Sequence, residues 1–408
     1  MSQPAAVLST QPEVSPTSGV PEQLFSRDFL LLCFSSFLFS MSMFLLFAVL
    51  PIFIVDELHG AKSQVGMIMG TFALSAVLTR PGSGRIVDVW SRKMGLNIGS
   101  FIYCVAPALY TQADSVEMML GLRFFHGIGI AIYTTAGSVM AADLCPPMRR
   151  AEGMGYYGMS MNLAMAIGPA LGAFLVGQIG FSGLFWLASI LGLTSLLLVQ
   201  VIKERVQDHD HGHARPPLFS KVALLPGFVA MCMTMTFGAV VSFLPLLVQE
   251  HNLGNPGLYF TIYSLVVVFS RPIAGRLADR FGRAPVIVPG MAWLVAAMIV
   301  LAHTTSLWGL LWSAALQGLG FGCVHPAVMA LVVDRSTIRD RGPALATLMG
   351  AFDVGVGLSS IGLGQILEYT NFTTTYLCAA GIAFTGGSIF SIASLRQNHK
   401  QAVLEGQG

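Results

Sequence analysis

One carboxylate in this chain stands where carboxylates are costly. Asp353 lies about twelve residues into a stretch otherwise built of Gly, Ala, Leu, Val and Phe, which on a helix sets it roughly 18 Å from the start of that stretch at ~1.5 Å per residue. An acid at such depth suits the relay of a proton between two faces of a bilayer; the rival reading is a packing Asp hydrogen-bonded to a neighbouring helix. Arg123 is the one cation deep in another apolar stretch. It could attract an anionic solute, act on a nearby carboxylate, position water for proton transfer, or simply satisfy helix carbonyls. His126 follows three residues later on the same helical face, and His325 precedes Pro326. Each could carry protons near neutral pH or serve as a buried neutral hydrogen-bonding group. Asn162, Tyr133 and Tyr157, with Ser40, Ser42, Tyr156 and Tyr263, are polar positions interleaved with Met and Phe, a mixture that would line an amphiphilic, adaptable pocket.

Those residues need elements that hold them in lipid. Of 408 residues 54% are apolar and 10% charged, with mean hydropathy +0.71, whereas soluble domains carry about 25% charged residues. A net charge of +2 gives no ground for nucleic-acid binding. Cut at charges and at Gly, Pro and Asn clusters, the apolar runs give twelve spans of about 20 residues. The first six fall at 28–55, 63–87, 94–111, 117–141, 151–177 and 181–202, and the second six at 222–249, 256–278, 284–303, 306–332, 342–368 and 373–395. The organisation expected is a disordered tail (1–23), a six-helix bundle (24–203), a polar linker (204–220), a second bundle (221–396) and a tail (397–408). Cysteines 33, 104, 145, 232, 323 and 378 show no CxxC spacing and read as packing residues.

The two bundles are copies. RPGSGRIVDVWSR from Arg80 to Arg92 recurs as RPIAGRLADRFGR from Arg271 to Arg283 at a constant offset of 191 residues. The same offset pairs Gly127 with Gly318, Gly129 with Gly320, Asp143 with Asp334, Arg150 with Arg341 and Asn162 with Asp353. In each copy the turn after the second span is expected to form a charged latch. Gly84 and Gly275 would let helices approach, and Asp88 and Asp279 would accept from Arg85, Arg92, Arg276, Arg280 and Arg283 or cap the next helix. Arg80 and Arg271 read as snorkelling side chains or latch members. Of the 22 basic residues all but Lys62, Arg80, Arg123 and Arg271 fall on connections of one side, which puts both termini in the cytoplasm.

At these residues the chain resembles the major facilitator superfamily, over about 24–396. The family's loop signature Gly-x-x-x-Asp-Arg-x-Gly-Arg is matched by Gly275, Asp279, Arg280, Gly282 and Arg283. The first copy keeps Gly84, Asp88, Arg92 and Lys93 but has Val89 for Arg and Ser91 for Gly. LRFFHGIG resembles the Arg-x-x-Gln-Gly-x-Gly pattern of the fourth span, with His126 for Gln. Gly155, Gly168, Pro169 and Gly172, with Ala164, resemble the antiporter signature of drug:proton exporters; a kinked close-packing helix is the plainer reading of Gly168-Pro169. RFFHGIGIAIYTTA and RRAEGMGYYG are similar to a branch that includes opine metallophore exporters of the staphylopine type.

The resemblance implies an all-α integral membrane protein of twelve transmembrane helices in two pseudo-symmetric bundles, working as a monomer in the inner membrane. Its expected activity is proton-coupled efflux of a small drug-like or amphiphilic solute, with export of a metal-chelating opine as the alternative and a non-transporting receptor on the same scaffold as the second. Many such exporters carry a carboxylate in the first span; here none stands between Asp28 and Asp56, so coupling must lean on Asp353, a His or the solute itself. His209, His211 and His213 alternate with Asp in the linker and could bind a divalent metal, though a solvated linker explains them as well. No P-loop, GxSxG, HExxH or dinucleotide fingerprint is present, so neither an enzyme nor a cofactor is expected.

Overall fold

In hydrocarbon every backbone N–H and C=O must find its partner within the chain, and helices do this segment by segment. The computed structural model describes residues 23–89, 91–204, 220–337 and 340–405, with the side chains at 85–89, 147, 151, 341–342 and 397–405 outside that description. Nearly all the tail expected at 1–23, and the linker with His209, His211 and His213, lie outside the described residues.

The first half holds α1 (Arg27–Phe47), α2 (Leu50–Asp56), α3 (Lys62–Val89), α4 (Arg92–Tyr110), α5 (Val116–Leu144) and α6 (Arg150–Val201). Serines start three of these helices: the Ser26, Ser91 and Ser115 side chains accept from the backbone N–H three residues on. The first expected span is α1 and α2 together, broken at Ala48–Val49 just ahead of Pro51. At 52 residues α6 is too long for one crossing, and Gly180 interrupts it with φ 68° and ψ 177°. Its two legs run in opposite senses along α1. Gly153 lies by Leu24 and Gly168 by Phe44, whereas Ser42 donates to Ala188 O and Ser35 bonds Ser195 Oγ. The fifth and sixth expected spans are therefore one helix folded at a single glycine.

The second half repeats the order with α7 (Leu224–Glu250), α8 (Gly257–Phe281), α9 (Ala284–Ala302), α10 (Leu307–Arg335), α11 (Arg341–Tyr369) and α12 (Phe372–Glu405). The last helix runs past the expected end at 395, since nothing in RQNHKQAVLE breaks a helix. Among the described residues nine elements are long and apolar enough to cross a membrane by length and composition. With the less apolar α3 and α4 and the fold at Gly180, the chain makes twelve crossings. Phe101, Phe174, Trp186, Leu197 and Phe384 lie exposed on the outside, an apolar surface that belongs against lipid.

Helices pack mainly within each set of six; α3 with α11 and α6 with α8 join the sets. These junctions close at the end opposite the termini. A Cβ on Gly66 would strike the Ser360 carbonyl, and one on Gly257 the backbone of Ala170. Lys62 pairs with Glu250 at 3.1 Å, Ser63 N–H donates to Glu368, and Asn255 donates to Ala170 O at 3.0 Å. Toward the termini the same helices part: a Cβ on Gly84, Gly155, Gly158, Gly275 or Gly350 would meet nothing within 4 Å. This corrects the expectation for Gly84 and Gly275, which bring no helices together here because they lie on the splayed ends.

Candidate functional site

The gap between the bundles narrows where α3 last touches α11. One turn inward, Gly357 rests against Ala73 and Leu74. At the next turn Arg80 Nε donates to Asp353 Oδ2, with the two side chains 29% and 24% exposed. Asp353 is thus no solitary acid, and Arg80 neither snorkels nor joins a latch. The pair ties one bundle to the other at the point where they separate, half-sheltered from water. Its i to i+4 rows explain the placement: Gly66, Gly70, Ala73 and Arg80 share one face of α3, as Gly364, Gly357 and Asp353 share one face of α11.

Arg123 and His126 lie inside the first bundle. Arg123 is 2% exposed, its guanidinium 4.2 Å over the Phe72 ring and its Nη2 3.8 Å from Met69 Sδ. His126 is fully buried, sharing a 2.7 Å hydrogen bond between Nδ1 and Tyr110 Oη and packing edge-on against Tyr103. Gly127 and Gly129 seat α5 on α3 and α4. Three buried polar atoms in this nest, Arg123 Nε, His126 Nε2 and Tyr103 Oη, have no protein partner. Buried polar groups that lack a protein partner are ordinarily answered by ordered water.

Tyr133 is also buried, bonded to Ser35 Oγ at 3.0 Å and stacked on Phe39 at 3.7 Å. Tyr157 lays its hydroxyl over Gly137, and Asn162 is half-buried on the first leg of α6. In the second bundle His325 stacks between Phe321 and Phe352, with ring centroids 5.5 and 4.9 Å away. Phe352 precedes Asp353, so the aromatic stack ends beside the ion pair.

The latches appear at the splayed end and brace each bundle internally. Arg283 donates to Asp279 at 2.7 Å and to Asp334 on α10 at 2.9 Å. These two carboxylates, that of Asp334 first, raise the affinity of Arg283 for its proton above the ordinary arginine range. Arg92 donates to Asp143 on α5 at 3.2 Å, and its backbone N–H to Glu204 at 2.7 Å. Arg276 is exposed, Arg280 lies 5.2 Å over the Phe281 ring, and the side chains of Arg85 and Asp88 are outside the described residues. Asp143 and Asp334 were visible as a repeat pair, yet only packing shows that they receive the latch arginines. The bend motif serves α1: a Cβ on Gly172 would strike the Leu45 carbonyl, and one on Gly168 would lie 2.7 Å from Phe44 Cβ.

A groove of about 380 Å³ between α9 and α12, lined by residues such as Val288, Met291 and Phe384, contains no ionisable group. The chemistry gathers instead along the gap and in the α3–α4–α5 nest.

Comparison with known proteins agrees with this architecture. The family model described as Major Facilitator Superfamily matches residues 32–259 and 226–407. The chain is 23% identical over 349 residues to the Staphylopine export protein of Staphylococcus aureus, covering 81% of this chain and 88% of that protein. It is 19% identical over 320 residues to the Quinolone resistance protein NorA of the same organism, covering 74% and 80%. Its fold superposes on a mutant of the nucleoside transporter NupG with a TM-score of 0.77 at 14% identity, covering 90% of this chain and 99% of that one.

Proposed function

This chain belongs to the Major Facilitator Superfamily, and from that membership we propose that it exports a small drug-like or amphiphilic organic solute against proton entry, by alternating access. The observation that carries the proposal is the Arg80–Asp353 pair across the two bundles. Protonating Asp353 removes the negative charge that ties α11 to α3, so proton occupancy and separation of the bundles become linked. Hydrogen bonds to a charged group are worth about 1.5–3 kcal/mol. The membrane potential supplies about 2.3 kcal/mol per proton per 100 mV, enough to work against a tie of that size. The Lys and Arg distribution supports a cytoplasmic location for both termini in the inner membrane, which makes the splayed end the cytoplasmic opening. Relatives named for export and for drug resistance support the outward direction.

The test is flux in proteoliposomes under an imposed pH gradient, across cationic, neutral and zwitterionic solutes. Asp353→Asn is expected to abolish gradient-driven flux and keep the fold; wild-type-like exchange would remove Asp353 from the mechanism. Absence of flux for every solute favours the receptor reading. Export of a metal-chelating opine is the second transport reading, supported by the relative named Staphylopine export protein. Arg123, 2% exposed, does not meet the gap in this conformation, so a carboxylate-bearing cargo needs another cation there.

A further inference from the structure

The two halves part company at the arginine of each junction. The offset that equates Arg80 with Arg271 equates Asp353 with Asn162, and the packing obeys it. Gly70 of α3 meets Gly357 and Ile361 of α11; in the mirrored junction Thr261 of α8 donates to Ala166 O, and Gly257 meets Ala170 of α6. One turn further toward the open end the first register arrives at Asp353 and the second at Asn162. Where one side of the gap has an arginine and an acid, the other has an arginine and an amide.

Among the described residues no hydrogen bond or ion pair reaches Arg271, and its Nε is buried without a partner. Ser264, two turns back on the same helix, is likewise buried with its Oγ unpartnered. Tyr263 and His325 lie within electrostatic reach of the guanidinium, and among the described residues no carboxylate does. The other two intramembrane cations are accounted for. Arg80 is neutralised by Asp353; Arg123 also lacks a carboxylate among the described residues, but it is enclosed in its own bundle over the Phe72 ring and does not meet the gap. A guanidinium without a counter-charge inside a span is expensive, and a carboxylate answers it with two parallel N–H···O bonds. Because the acid that could serve is engaged elsewhere, the ligand must bring one. An organic cation would meet a gap whose uncompensated charge has its own sign.

We propose that Arg271 anchors a carboxylate of the solute, so that the cargo of the gap is an anionic or zwitterionic amphiphile; this substrate class rests on the transport reading above. The full chain in lipid nanodiscs is titrated with phenylpropionate and with phenylpropylamine, near-isosteres of opposite charge. Wild type is expected to bind the carboxylate at least about tenfold more tightly, a difference of about 1.4 kcal/mol. Arg271→Gln should erase that preference, and Arg271→Lys should keep much of it. Asn162→Asp should abolish carboxylate binding without removing the cation, because it restores the acid of the other junction. Equal affinity for the amine, no carboxylate binding, or carboxylate binding intact in both Arg271→Gln and Asn162→Asp overturns the proposal. Monodispersity and melting temperature separate these results from misfolding, and the Lys variant keeps the cation if Gln is not tolerated. The readout needs no transport. Carboxylate binding through Arg271 without any flux sinks only the transport reading, while proton-driven flux of a cation untouched by Arg271→Gln sinks only the anion site.

Discussion

Asp353 acts through its partner. With Arg80 it forms a half-sheltered ion pair between bundles, so removing one member leaves an unpaired charge. Arg80→Gln and Asp353→Asn should each lower the melting temperature in detergent. The double variant should recover part of the loss, with a coupling energy of about 0.5–3 kcal/mol, and still fail to move solute with the pH gradient. Additive losses would mean that the pair does not hold the bundles together. His126 and Arg123 belong to a different setting, a buried nest with three polar atoms that no protein group answers. Their spacing on one helix was readable from RFFHG, but their enclosure by Phe72, Tyr103 and Tyr110 was not, because those residues come from α3 and α4.

At the scale of elements, glycines divide by whether a neighbour fills the space beside them. Gly172 presses α6 onto the Leu45 carbonyl, so Gly172→Val should destabilise by several kcal/mol or prevent recovery of folded protein. Gly155→Ala, on the same helix with nothing within 4 Å, should be tolerated and raise the stability of this conformation by no more than about 1 kcal/mol. The latches brace helices through arginines. Asp279→Asn weakens one of the two carboxylate bonds of Arg283 and should slow turnover in the flux assay while leaving the fold intact. Unchanged rates would assign that bond to local stability alone.

At the scale of the molecule, the bundles meet at one end and stand apart at the other. Lys62 and Glu250 close the joined end from α3 and α7. Replacing both by Cys and bridging them with a short bis-methanethiosulfonate, which attaches through disulfides, should stop transport, and reduction of those disulfides should restore it; continued flux in the bridged protein would refute the need for that end to open.

Composition and the duplicated RP-x-x-GR segments were sufficient for twelve lipid-embedded helices in two equivalent halves, because apolar run length and backbone satisfaction in hydrocarbon leave few other solutions. They also singled out Asp353, since a charge in an apolar run is visible in one dimension. What packing alone decided is the company each charge keeps. Arg80 and Asp353 are far apart in the chain, and which arginine met the acid depended on the register of α3 on α11. The repeat offset that matches Asp353 with Asn162 gives the junction of Arg271 an amide in place of the acid. Long-range electrostatics follow distance in space, and only the folded bundle sets that distance.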